Sequence, residues 1–321
     1  MSAVTRSRAR GAVASAARPP RGPTASSASG GVALIGRPAT DEGAKALNRR
    51  RALALVAGIV GAGGAVGAAL GALLGRPVFG LLVGLVLVGA WTGVASAFGD
   101  RLLLAAAGAR PVVSAEAPRL HNLLDGLAAA AGIPVPRAFV LPEGAPNAFS
   151  VGRGPERAAV AVTEGLLTRL NRIELEAVLA HELVHIRDGD VGPATLAAAL
   201  ALPARPAADR RWGPARGRAR ARAAGWVLAP LLAAVALAIR LAVPVERELR
   251  ADAAAALLVR YPPGLSAALR RVAAPGPVLE RASAATALLW FAPPELGTGR
   301  LARWLRAHPP LAERLRLLAE M

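Results

Sequence analysis

The chain has 321 residues, of which 54 % are apolar, 19 % charged and 3 % aromatic, with a mean hydropathy of +0.42. That is too apolar for a disordered polypeptide and high for one that meets only water, and so few aromatics leave Ala, Leu and Val to build any core. Lys plus Arg number 39 against 21 Asp plus Glu, a formal charge of +18, but Lys45 is the only lysine in a composition rich in Arg, Ala, Gly and Pro, as a GC-rich coding genome produces. The charge is therefore weak support for a nucleic-acid partner, and no helix-turn-helix, stacking motif or zinc finger accompanies it. Cysteine is absent, which excludes disulfides, thiolate chemistry and Cys-ligated zinc or iron–sulfur centres. Any metal must be held by carboxylates and the four histidines.

Residues 1–47 are rich in Ser, Gly, Pro and Arg and carry no periodicity, so they read as a disordered basic tail. A cleavable leader is the alternative, but no apolar segment follows the first arginines. From Ala52 to Leu74 run 23 uncharged residues, and from Val78 to Gly99 another 22. At 1.5 Å per residue, each run can cross the roughly 30 Å apolar thickness of a bilayer. Only Gly75-Arg76-Pro77 separates them, so a tight transmembrane helical hairpin is expected within 48–100. Gly63, Gly67, Gly71 and Gly75 leave small faces for close helix contact. Arg49, Arg50 and Arg51 precede the hairpin and Arg101 and Arg110 follow it, which by the positive-inside rule puts both ends in the cytoplasm.

Leu120, Leu123, Leu124 and Leu127 predict an amphipathic helix over 115–131, capped by Gly132 and ended by Ile133-Pro134-Val135-Pro136. The short runs 138–141, 147–151 and 158–162 read as strands of a small sheet. The expected fold class is mainly α with a small β-sheet, the protein domain occupying 101–321.

Asn171-Arg172-Ile173-Glu174 has the form of a capping box, and the periodic helix it opens carries His181-Glu182-Leu183-Val184-His185. Four residues of helix bring His181 and His185 to one face, where both imidazoles can meet one ion. Glu182 lies about 100° round the helix, within reach of a water there. Composition alone yields such an H-E-x-x-H pattern with an expectation of about 0.002 in this chain, so the motif is specific. Zinc held this way keeps one position for water and lowers its pKa to about 7, leaving Glu182 to accept the proton as general base. A third protein ligand is needed. His121, His308, Glu246, Glu248 and Asp252 are the candidates, and spacing alone favours Glu248 only slightly. Glu248 and Asp252 are four residues apart on one helical face, after Pro244.

Asn147-Ala148-Phe149, Ala161-Val162-Thr163-Glu164-Gly165, the HELVH run with Asp190 downstream, Arg247-Glu248 with Ala251-Asp252, and His308-Pro309-Pro310 with Arg314 together resemble the HtpX family. These are integral-membrane zinc endopeptidases related to the CAAX prenyl proteases, and the likeness runs from about Ala52 to the C-terminus. It implies a gluzincin-type, membrane-anchored metalloprotease holding one zinc ion through His181, His185 and Glu248, with Glu182 as the general base and Asp252 orienting a ligand histidine. It also implies membrane or misfolded protein substrates and a multi-pass protein of the cytoplasmic membrane with its active site facing the cytoplasm. Pro244, where many relatives carry Ser, and the Arg-rich tail depart from the family pattern. His308 is a candidate oxyanion stabiliser or a structural cap, and Arg314 a structural ion pair. Asn147 and Phe149 are expected on a strand edge that an extended substrate joins by main-chain bonding.

Two further apolar stretches, Val191–Ala204 and Ala223–Val243, form an insertion at 191–243. Zinc ligands on both sides must share a compartment, so both stretches span or neither does. The first is short and contains Pro193 and Pro203, and seven arginines lie between the two stretches. A shallow hairpin at the cytoplasmic face, its arginines on anionic headgroups, is therefore expected. The competing reading of the whole chain is a catalytically silent membrane scaffold, against which the intact HELVH motif argues.

Overall fold

The computed structural model describes residues 42–204, 245–282, 286–293 and 308–321. Residues 1–41 of the expected tail lie outside that set, as do Pro244, the arginine-rich loop and the second apolar stretch of the insertion.

Helices α1 (Glu42–Leu73) and α2 (Pro77–Ala107) form an antiparallel pair. They are joined through Gly75, which takes the left-handed φ of 69° that a chain reversing this tightly requires. The pair is held close by glycine. A methyl group on Gly67 would collide with the backbone of Gly80, and one on Gly84 with the carbonyl of Gly63. The expected small face is thus built from Gly63, Gly67 and Gly71 against Gly80 and Gly84, with Gly75 in the turn rather than on the face. Both helices are long and apolar enough to cross a membrane. Helix α2 runs past the apolar stretch to Ala107 and ends at Gly108 with φ 69°. Its last two turns, with Leu103, Leu104 and Ala107, are buried under the protein domain.

The sheet has the order β1-β2-β4-β3, from β1 (Arg110–Pro111), β2 (Arg137–Leu141), β3 (Ala148–Val151) and β4 (Ala159–Thr163). β2 and β4 are parallel, with Phe139 opposite Ala161, and the outer pairs are antiparallel. Alternation divides the strand side chains between two cores. Ala138, Val140, Val160 and Val162 face α3 (Pro118–Ala131) and α5 (Arg172–Arg187). Phe139, Leu141, Phe149 and Ala161 face the end of α2 and α6 (Val191–Ala201). Helix α3 starts at Pro118 rather than 115, because the residue before a proline avoids helical ψ, and it stops at Gly132 with φ 69°. The short α4 (Glu164–Arg169) is capped by Thr163.

The remaining layer is α7 (Val245–Val259) and α8 (Pro262–Val272), packed on α5, with α9 (Leu311–Ala319) against both. The molecule is therefore mostly helical with a small mixed sheet.

Candidate metal centre

Asn171 caps α5 as the sequence predicts: its side chain accepts from the Glu174 amide at 2.9 Å, and Glu174 accepts from the Asn171 amide at 2.9 Å. This fixes where the helix starts and hence its rotation. His181, Glu182 and His185 all turn into the protein, Glu182 and His181 with 1 % of their surface exposed. Helix α7 crosses α5 and brings Glu248, equally buried, to the same point.

The His181 and His185 Nε2 atoms lie 3.1 Å apart. Glu248 Oε2 is 3.5 Å from His181 Nε2, and its Oε1 is 3.6 Å from His185 Nε2. A tetrahedral ion with bonds of about 2.0–2.2 Å holds its donors about 3.3–3.6 Å apart, and one donor atom from each of the three side chains lies within 4.8 Å of the others, close enough to converge on one ion. Two imidazoles and a carboxylate are also the donor types a borderline divalent ion prefers. The cluster is compatible with a metal ion. A cavity of about 10 Å³ opens beside it, lined among others by Ser150, Glu182, Arg247 and Trp290, with room for about one water centre. Glu182 Oε2 is buried there without a hydrogen-bond partner among the described residues. Burial pushes the Glu182 carboxyl above the usual range, against the opposing pull of His181 and His185.

Behind the cluster, Asp252 Oδ1 sits 2.9 Å from His181 Nδ1. Arg314 clamps the same carboxylate from below with two bonds, 2.6 and 2.7 Å, and donates a third to the Phe291 carbonyl at 2.8 Å. Burial works against an ionised Asp252, but the Arg314 guanidinium and His181 outweigh it and hold the acid below its usual range. Arg314 is thus the ion pair expected of it. Asp190 Oδ2 stands 3.5 Å from His185 Nδ1, and Arg247 donates to Glu248 Oε1 at 3.1 Å.

His308 is buried at the same place, its Nε2 3.6 Å from Glu248 Oε2. Burial lowers its pKa to about 4, so the ring is neutral at physiological pH. The other third-ligand candidates lie elsewhere. Glu246 is exposed, and His121 bonds the Val112 carbonyl at 3.0 Å.

The structure places the two residues of the substrate-edge expectation as follows. Phe149 lies on the edge strand β3 and Asn147 just before it, and part of that edge is covered by the chain itself. Phe149 pairs with Trp290 across an antiparallel bridge, and the Phe291 amide donates to the Ala148 carbonyl at 2.8 Å. Asn147 locks the segment with two bonds to Ala292, 2.7 and 3.1 Å. Further along, the Gly152 amide is taken by Thr195 Oγ1 at 3.0 Å. The outward main-chain groups of Ala148 and Gly152 are therefore engaged within the molecule, while Ser150 between them lines the cavity.

Sequence reasoning gave no role to Asp190 or Arg247, although both stand in the motifs quoted, and it did not foresee Ser150, Trp290 and Phe291 around the site. The apolar run Leu288-Leu289-Trp290-Phe291, ended by a proline pair, was a strand signal that could have flagged that wall.

Residues 114–321 match the family model described as Peptidase family M48. The chain is 37 % identical over 283 residues to a protein named Protease HtpX homolog from Syntrophobacter fumaroxidans, covering 84 % of this chain and 96 % of that one. It is 34 % identical over 297 residues to a protein of the same name from Limosilactobacillus fermentum, covering 86 % of this chain and 98 % of that one. Among solved structures, the crystal structure of S. mikatae Ste24p aligns with a TM-score of 0.43 and 19 % identity over 76 % of this chain, which spans 58 % of the length of that one.

Proposed function

The chain belongs to peptidase family M48, and on that premise we propose that it is a membrane-bound, zinc-dependent endopeptidase acting in the quality control of membrane proteins. One observation carries the reading: two buried imidazole nitrogens of α5, 3.1 Å apart, each within 3.6 Å of a carboxylate oxygen of Glu248 on α7, with the buried Glu182 carboxylate next to His181. His181, His185 and Glu248 would hold the ion, which when bound supplies Lewis acidity, acidifying water and polarising a peptide carbonyl.

The protein's own groups do the rest. Glu182 takes the proton of the attacking water and returns it to the leaving nitrogen, a task suited to a carboxyl whose burial raises its proton affinity. Asp252, itself held by Arg314, engages His181 Nδ1 and so turns Nε2 into the site. Asp190, 3.5 Å from His185 Nδ1, is the carboxylate placed to do the same for His185. His308, neutral and buried, offers a ring N–H beside Glu248, where an oxyanion develops on the carbonyl. Asn147 and Phe149 hold Trp290 and Phe291 as a wall of the cavity, and the β3 edge at which they lie offers Ser150 to an extended substrate.

Helices α1 and α2 form the membrane hairpin, with both ends and the domain 101–321 on the cytoplasmic side of the cell membrane. The short α6, which buries Ala194, Ala197 and Ala198 against α2 and the sheet, supports an insertion at 191–243 that does not cross the bilayer. Labelling a single cysteine at Gly213→Cys from outside intact cells would contradict that topology.

The central test is zinc stoichiometry beside casein cleavage in one detergent. Wild type should carry one zinc per chain, Glu248→Ala should lose both metal and cleavage, and Glu182→Gln should keep the metal and lose cleavage. Full activity in Glu182→Gln, or an active wild type without zinc, would refute the mechanism.

A further inference from the structure

Away from the metal centre, a cavity of about 410 Å³ opens where α2 leaves its apolar run and meets the sheet. Its volume falls in the range of small-molecule sites. Four arginines from three parts of the fold line it: Arg101 from α2, Arg137 from the start of β2, and Arg153 and Arg157 from the loop between β3 and β4. Two carboxylates, Asp100 and Glu156, share the lining. Among the described residues, Arg137 is the one of the four neutralised by an ion pair, to Asp100 at 2.9 Å. Arg101 rests over the Phe98 ring at 5.9 Å, and Arg153 and Arg157 are exposed with no ion pair among the described residues.

Converging guanidinium groups with free donors suit a phosphoryl group, which they bind in a forked geometry. The apolar stripe beside them decides what carries that phosphoryl group. Phe98, Val94 and Leu87 recur at helical spacing on α2, and their exposures of 47 %, 40 % and 64 % lead from the hairpin surface directly to the cavity. A free phosphate has no use for such a stripe, whereas a lipid can lay its acyl chains along it. We propose that this cavity binds the phosphoryl headgroup of an anionic phospholipid, with acyl chains along α2. The site rests on the membrane reading of α1 and α2. It lies where the arginines at the cytoplasmic end of a span meet the headgroup layer, and it ties the hairpin to the sheet that carries β3.

The test titrates short-chain phosphatidylglycerol into the full-length chain in neutral detergent, with bound lipid read by native mass spectrometry. Wild type should retain phosphatidylglycerol in preference to phosphatidylcholine. Arg153→Ala with Arg157→Ala should weaken binding about 25-fold, at roughly fivefold for each arginine at a membrane surface. The control pair Arg270→Ala with Arg316→Ala, exposed and remote, removes the same charge and should change nothing. Equal weakening by both pairs, or no preference for phosphatidylglycerol, overturns the site. Inorganic phosphate is the second arm: displacement of the lipid at equal concentration would make free phosphate the ligand and overturn the lipid assignment. Vesicle flotation separates the two readings. A chain that floats with phosphatidylcholine and phosphatidylglycerol vesicles alike, but shows no headgroup preference, sinks the cavity alone. A chain that floats with neither sinks the membrane reading and the lipid site with it.

Discussion

The hairpin and the candidate metal centre are mirror images in where they put polarity. On the hairpin the large apolar side chains point outward, with Leu73 81 %, Val86 68 % and Leu87 64 % exposed. At the metal centre the ionisable groups point inward, with Glu248 at 1 %, Asp252 at 0 % and Arg314 at 2 %. Water alone would penalise both arrangements. The first is stable where the surroundings are themselves apolar. The second is stable because each buried charge has a partner: Arg314 with Asp252, Asp252 with His181, Arg247 with Glu248. The contrast shows that burial is the wrong single measure for this chain. What matters is whether each group meets a neighbour it can use.

Breaking the polar side should have the largest effects. Glu182→Gln preserves shape and removes the base, so casein cleavage should fall about 10²–10⁴-fold while bound metal, by atomic absorption, stays the same. Arg314→Met strips the partner from a buried carboxylate. A melt followed by circular dichroism should show a loss of about 3–5 kcal/mol, and the fall should exceed that of Asp252→Asn with Arg314→Met together. On the apolar side, Val86→Arg separates the two environments. In a membrane-inserted helix it should cost about 2.5–3.5 kcal/mol in an insertion assay, whereas at an exposed position in water it would be close to neutral. Gly67→Val should have the smallest effect. It pushes α1 off α2 and should cost about 1–3 kcal/mol in detergent unfolding, with cleavage per folded molecule kept. A Gly67→Val chain that folds normally but has lost cleavage would show that the two regions are coupled more tightly than their separate cores suggest.

Much of the fold was legible because its cues are local. The uncharged runs, the Gly75 turn, the Asn171 capping box, Gly132 and the three main strands all express the preferences of a few neighbouring residues. Strand β1 and the Trp290 bridge were not legible, since each depends on a partner far along the chain. The same division runs through the site. The spacing of His181 and His185 follows from helical geometry within one turn, and the base beside them from adjacency.

The sequence by itself determined that two imidazoles and a carboxylate share a helix, and that two long stretches carry no charge, because both are properties of contiguous residues. Local spacing leaves Glu246 and Glu248 open and the family resemblance points to Glu248; the packing of α7 on α5 supplies the physical reason, burying Glu248 and leaving Glu246 in solvent. The tertiary structure alone decided that Trp290 bridges to β3 at Phe149, and that four arginines scattered over 57 positions line one cavity. Contacts of that kind arise from packing between distant segments, and local sequence pattern carries no record of them.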